Sequence, residues 1–289
     1  MNINSVINEA KLILKENLIK TAQLDSEILL AKAIKKDRQF IILNQKNSVK
    51  KESYCYFKKL IRQRSKGKPV AYIIGKKDFW KYQFELNENV LIPRPDTEII
   101  VEQVLKITKY KSNLRILDIG TGSGCILLSI LKEKKDFKGI GIDVSKKSAE
   151  ISKINATKFG LLNRTKIFKT DVDNFNYGKY DLIISNPPYI KKLDLKYLER
   201  DVINFEPKLA LNGGLDGTSE ISKVIKKSSE LIKKKGKLIL EISFDQKEKV
   251  KKLLINKGFY INKILKDYAQ NDRCIISTKI WRDFIYGNI

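Results

Sequence analysis

The sequence predicts an α/β protein, a doubly wound and mostly parallel sheet of seven strands preceded by a small helical domain. Three observations carry this reading. Apolar residues recur at helical spacing near the N-terminus, as in Ile3, Val6, Ile7, Ala10 and Leu14. From about residue 96, short apolar runs alternate with helical stretches. The first of those runs, Arg115–Ile119, leads into Gly120-Thr121-Gly122-Ser123-Gly124 and then a helix, which is how a ligand-binding strand–turn–helix begins.

Residues 1–66 read as helical, with Asp25 and Ser48 as N-caps for a second helix over 26–36 and a third over 49–65. Lys66-Gly67-Lys68-Pro69 closes the helical region. Residues 67–95 form a connector with short strands, rich in aromatic residues such as Phe79, Trp80 and Tyr82. The remainder, 96–289, is the sheet domain. Its strands are expected at 115–119, 139–143, 165–170, 180–185, 237–242, 259–267 and 274–281. Helices are expected at 145–159, closed by Gly160, at 219–234, and at 246–257, stopped by Gly258. The last two strands are joined only by Tyr268–Arg273. A parallel crossover needs a dozen residues or more, so this pair is expected to be antiparallel.

At 289 residues there is room for about two domains. No apolar run is long enough to span a bilayer, and Lys and Glu interrupt the first twenty residues, so neither a membrane span nor a signal peptide is expected. Three widely spaced cysteines, Cys55, Cys125 and Cys274, form no metal pattern and suit a reducing cytoplasm. The chain contains no histidine, which excludes histidine bases, histidine metal ligands and the Ser-His-Asp triad. The formal net charge is +25. An acidic partner such as RNA or the ribosome is one explanation, and compositional bias is the other, because the lysines are dispersed with no basic tail.

The glycines of Gly120–Gly124 let backbone approach a ligand and keep the turn tight, with Thr121 and Ser123 between them. Asp143 closes the second strand 23 positions after Gly120, where a carboxylate can accept from both hydroxyls of a ribose. A dinucleotide is disfavoured, since Cys125 stands at the third fingerprint glycine. Beyond the third strand, Val172 reads as an apolar wall beside an adenine, and Asp171 as a polar contact or a loop cap.

The fourth strand ends in Ser185-Asn186-Pro187-Pro188-Tyr189. Two prolines cannot donate to a ladder, so the strand stops and the carbonyls of Asn186 and Pro187 are free to face a site. Asn186 adds a side-chain carbonyl, and Tyr189 an aromatic face. Two fixed acceptors can hold both hydrogens of a planar NH₂ group. Such a nitrogen is a poor nucleophile, because its lone pair is delocalised. Acceptors whose grip tightens as positive charge develops favour the transition state over the ground state. Paired with an electrophilic methyl sulfonium, this arrangement needs alignment more than a strong base.

With these residues in hand, the chain resembles the HemK/PrmC family of protein-(glutamine-N5) methyltransferases over nearly its whole length. The connector residues Gly67, Pro69, Ala71, Tyr72 and Gly75, the stretch Pro93-Arg94-Pro95-Asp96-Thr97-Glu98, the later Glu206-Pro207-Lys208-Leu209-Ala210-Leu211 and Gly213-Gly214-Leu215-Asp216-Gly217, and Asp272-Arg273 carry the likeness. It implies a Rossmann-like methyltransferase sheet with no metal; monomer is the default expectation, and the cysteines suit a cytoplasmic enzyme. It implies S-adenosylmethionine contacts from Gly120–Gly124, Asp143, Val172 and Asn186, to which the position of Asp171 adds a candidate, and contacts to an acceptor glutamine from Asn186, Pro187, Pro188 and Tyr189. It also implies peptide chain release factors as partners, bound by the helical domain. The chain departs from the family at Val172, where an aromatic is frequent, and at Glu241-Ile242-Ser243, where Glu-His-Gly is frequent. Glu241 reads as a strand-end carboxylate in a polar network. Asn-Pro-Pro-Tyr also serves enzymes that methylate adenine N6 in DNA or RNA and one that modifies a glutamine of a ribosomal protein. Pro93–Glu98 favours the release-factor enzyme over these. A binding module with a dead methyltransferase fold is disfavoured because loop, Asp143 and Asn-Pro-Pro-Tyr are all intact.

Overall fold

The computed structural model describes residues 1–280. Two compact units divide them: Met1–Lys76 with Glu199–Phe205, and Lys77–Leu198 with the chain from Glu206 onward.

The first unit contains α1 (Ile3–Glu16), α2 (Ala22–Ile34), α3 (Arg38–Leu43), α4 (Lys51–Ser65) and α5 (Val70–Ile74). One face of α1 buries Ile3, Val6, Ala10 and Leu14 against Leu29, Leu30, Phe57 and Leu60 of α2 and α4. Two expected caps are corrected. Asp25 lies one turn inside α2, which begins after Thr21, because its carboxylate is taken by Arg64 at 2.7 Å. Ser48 instead pairs as an isolated bridge with Asn2, and α4 starts at Lys51. Arg64 is buried, and its second carboxylate partner is Asp201 at 2.6 Å, from the short helix that 199–205 add to this unit.

In chain order the remaining elements are β1 (Lys76–Phe79), β2 (Tyr82–Glu85), α6 (Glu98–Ile107), β3 (Arg115–Ile119), α7 (Cys125–Glu133), β4 (Lys138–Asp143), α8 (Lys146–Lys158), β5 (Thr165–Lys169), β6 (Tyr180–Ser185), α9 (Arg200–Phe205), α10 (Ser219–Leu231), β7 (Ile232–Glu241), α11 (Lys247–Asn256), β8 (Phe259–Lys266) and β9 (Asp272–Lys279). The expected seven-stranded sheet is present, in the order β5-β4-β3-β6-β7-β9-β8. The pairs from β5 through β7 are parallel, while β9 runs antiparallel to both β7 and β8. The expectation that the last pair is antiparallel therefore holds, with β9 inserted between β7 and β8. Residue 281, the expected end of the last strand, lies outside the described residues, as do 282–289 of the sheet domain.

Strand residues alternate between two cores. Ile116, Ile184 and Ile239 face α6, α7 and α8, whereas Leu117, Ile183, Leu238 and Leu240 face α10 and α11. Covering both faces explains why these strands read as continuous apolar runs. β3 lies between β4 and β6, so the strand order reverses there, and a crevice opens outside the carboxyl ends of these strands.

Candidate active site

A cavity of about 560 Å³ occupies that crevice. Its walls include Gly120 and Gly122 after β3, Asp143 at the end of β4, Asp171 and Val172 after β5, and Asn186, Pro187 and Pro188 after β6. Gly120 and Gly122 have φ of 74° and 56°, and a Cβ built on either would meet nothing within 4 Å. The conformation favours glycine, and the missing side chains leave the backbone open to whatever fills the cavity. The other loop residues point inward. Thr121 Oγ1 donates to Asp118 Oδ2 at 2.8 Å, Ser123 is buried, and Gly124 caps α7 where a Cβ would collide with Ser152 and Leu128. Of the five loop residues expected to contact a cofactor, Gly120 and Gly122 line the cavity, whereas Thr121, Ser123 and Gly124 serve as scaffold behind it. Burial pushes the Asp118 carboxyl up to about 7, against the opposing Thr121 hydrogen bond.

Asp143 is held by the turn it faces. Its Oδ2 accepts from Gly122 N at 2.9 Å and its Oδ1 from Ser145 N at 2.8 Å. Each carboxylate oxygen retains acceptor capacity for a hydroxyl. Partial burial raises its pKa, and the two backbone N–H groups oppose that rise. Asp171 accepts from Asp173 N at 2.9 Å, so it caps the short turn Val172–Asn174 while also lining the cavity. An open glycine cradle beside an anchored carboxylate suits a nucleoside with a ribose diol.

The ladders on both sides of β6 end at Ser185, paired with Ile119 and with Leu240. The next three residues leave the sheet and become cavity wall. The Asn186 side chain is anchored at one end, where Nδ2 donates to Thr97 Oγ1 at 3.1 Å. Tyr189 is not part of that wall: its hydroxyl donates to Glu241 Oε1 at 3.4 Å, and its carbonyl accepts from Gln246 Nε2 at 3.0 Å. Burial, and then the Glu241 charge, push the Tyr189 phenol up to about 12. Glu241 ends β7 at 1% exposure. Burial pushes its carboxyl up to about 7, opposed by hydrogen bonds from Thr97 and Tyr189 and by the Arg273 charge.

Sequence reasoning assigns no role to several of these residues. Thr97 is noticed only as part of Pro93–Glu98, although it touches Asn186 across 89 positions of chain. Pro207, Lys208, Leu209 and Ala210 close one side of the cavity. Gly213 packs on the backbone of Tyr189, and a Cβ there would fall 2.8 Å from Tyr189 Cα. Their presence is visible in the motif, but their contacts are not.

Two family models match the chain. Residues 5–75 match the PrmC N-terminal domain and 96–215 the methyltransferase small domain. The chain is 36% identical over 282 residues to a release factor glutamine methyltransferase of Clostridium acetobutylicum, covering 96% of this chain and 99% of that one. A release factor glutamine methyltransferase of Buchnera aphidicola subsp. Acyrthosiphon pisum is 38% identical, with 96% and 99% covered. Among solved structures, a ribosomal protein L11 methylase from Lactobacillus delbrueckii shares the fold at a TM-score of 0.51 and 18% identity, over 71% of this chain and 90% of that one.

Proposed function

The chain belongs to the release factor glutamine methyltransferase family, and on that premise we propose that it transfers a methyl group from S-adenosylmethionine to the side-chain nitrogen of a glutamine in peptide chain release factors. The observation that carries this reading is the Asn186-Pro187-Pro188 wall, anchored by Thr97, in the same cavity as the Gly120/Gly122 cradle and Asp143. S-adenosylmethionine supplies an electrophilic methyl on a sulfonium centre. Gly120 and Gly122 give its amino-acid and ribose portions room against the backbone, Asp143 accepts from the ribose hydroxyls, and Val172 with Asp171 borders the adenine. No metal enters this account.

Asn186 Oδ1 and the carbonyl that follows it accept from the two hydrogens of the glutamine amide. Their hold strengthens as the nitrogen becomes positive, which lowers the barrier without a strong base; as the N–CH₃ bond forms the S–CH₃ bond breaks, S-adenosylhomocysteine leaves, and the nitrogen releases one proton. Pro187 and Pro188 keep those acceptors fixed, so little reorganisation is needed when the reaction occurs. The helical domain, residues 1–66, is the part that recognises the folded partner. The connector to the catalytic domain, 96–289, begins after Lys76 rather than at residue 67, because α5 (Val70–Ile74) packs into the core of the helical unit. Its independent apolar core supports treating it as a separate recognition element.

Incubating the protein with methyl-labelled S-adenosylmethionine and a cell extract tests the acceptor class. Label in a protein of release-factor size is expected. Label confined to RNA or DNA would replace this reading with adenine N6 methylation, which the same Asn-Pro-Pro-Tyr motif can serve.

A further inference from the structure

Beyond Tyr189 the chain is paired rather than free. Ile190 N donates to Leu211 O at 3.1 Å, Gly213 N to Ile190 O at 2.8 Å, and Lys192 N to Gly214 O at 2.9 Å. These bonds set Ile190 parallel to Asn212 as a short bridge. Two parts of the cavity wall therefore meet at one seam. Asn186, Pro187 and Pro188 lead into it from β6, and Asn212 and Gly214 lie along its other side.

A pairing this short is marginal by itself in water. A buried side chain reinforces it. Gln246 is 1% exposed and stands just before α11. Its Nε2 donates to Tyr189 O at 3.0 Å and to Gly217 O at 2.9 Å, and its Oε1 accepts from Ser243 N at 3.1 Å. Both hydrogens of one amide are spent on two backbone carbonyls, one from each side of the seam. The bond from Ser243, in the turn after β7, fixes which way the amide points. The backbone leaves room for it. Gly217 has φ of 78°, and a Cβ there would fall 2.7 Å from Gln246 Nε2 and 2.5 Å from Tyr189 O. Glycine is what lets these segments approach so closely. The side chain is equally constrained. Lysine would bring a charge into a buried place, ionised glutamate would set lone pairs against both carbonyls, and asparagine is one methylene short.

We propose that Gln246 is a positioning residue for methyl transfer, clamping the Asn186–Tyr189 stretch to the wall formed by 207–217 so that the acceptors for the glutamine amide keep a fixed place beside the cofactor. This rests on the functional reading above, in which those acceptors hold the amide. Gln246 is not part of the cavity wall and acts through the Tyr189 carbonyl.

Full-length Q246M and Q246E test this beside wild type. Methionine keeps the length and donates nothing. Q246M is expected to lower kcat for a purified release factor about 10–100-fold, the scale of a small misplacement of reacting groups, while Kd for S-adenosylmethionine stays within about threefold. Q246E adds a readout that loss of packing alone does not produce. Its ionised carboxylate repels both carbonyls, whereas its protonated form has one hydrogen to donate. The ratio of Q246E kcat to wild-type kcat is expected to climb about threefold or more as pH falls from roughly 8.5 to roughly 6, with the Q246M ratio flat. Hydrogen exchange of the Gln246 side-chain amide needs no variant. In wild type it is expected to be far slower than that of the exposed Gln63. Folded variants that keep wild-type kcat, a Q246E ratio that ignores pH, or a Gln246 amide that exchanges as fast as Gln63 would each overturn the proposal. If wild type methylates no release factor, the functional reading fails, and the exchange rate still decides the clamp.

Discussion

In the proposed reaction, Asn186 and Asp143 divide the chemistry between them at the scale of single residues. Asn186 is anchored on one side by Thr97 and lines the cavity on the other. Asn186→Ala is expected to lower turnover by about 10²–10³, the typical cost of losing one transition-state partner, and to leave cofactor affinity largely intact. Single-turnover kinetics with a release factor check this, and near-normal turnover would remove Asn186 from the mechanism. Asp143 is fixed by two backbone N–H groups rather than by a cation, so its acceptor capacity is not consumed by a salt bridge. Asp143→Ala is expected to weaken S-adenosylmethionine binding by roughly 1.5–3 kcal/mol, or about 10–160-fold in Kd. Calorimetry reads that loss, and unchanged affinity would place the ribose elsewhere.

Among the elements, the ends of β3, β4 and β6 build the cavity, and the stretch between β6 and α10 holds it in shape. Gly213 lies against the backbone of Tyr189, while Gln246, just before α11, donates to the Tyr189 carbonyl. Gly213→Ala should force the Asn-Pro-Pro-Tyr segment to shift, since overpacking costs about 1–3 kcal/mol. A lower denaturation midpoint together with a lower kcat is expected. Wild-type values for both would show that the segment does not depend on this contact. At this scale the sheet was almost fully legible in advance. Runs such as Ile116–Ile119 and Leu182–Ile184 are buried on both faces, and β-branched runs bounded by glycine or proline are a strong local signal. The short helices α3, α5 and α9 were not legible, because five or six residues give too little periodicity. Asp25 was misread for a related reason: its sequence context is that of a cap, while its partner Arg64 is 39 positions away. The same limit hid the roles of Thr97 and Gly213. Local pattern marks them, and only folding brings each to its partner.

The whole molecule joins a helical unit with its own core to a seven-stranded methyltransferase sheet, and among the described residues no helix is long and apolar enough to cross a membrane. The lysines behind the +25 charge are dispersed along the chain, and a few pair with carboxylates. Lys158 pairs with Glu85, Lys191 with Asp245, and Lys233 with Asp181. The dispersion of the lysines, with no basic tail, differs from the continuous basic track an enzyme needs to hold a duplex while extruding an adenine. A glutamine on a protein loop requires no such extrusion. The central claim is therefore about one atom, the side-chain nitrogen of a glutamine in a release factor. Mass spectrometry of purified release factor incubated with this protein and S-adenosylmethionine tests it directly. A single added methyl group is expected, localised to one glutamine side chain and absent when Asn186→Ala replaces wild type. Unmodified release factor, with methyl groups found on adenine in RNA or DNA under the same conditions, would contradict it.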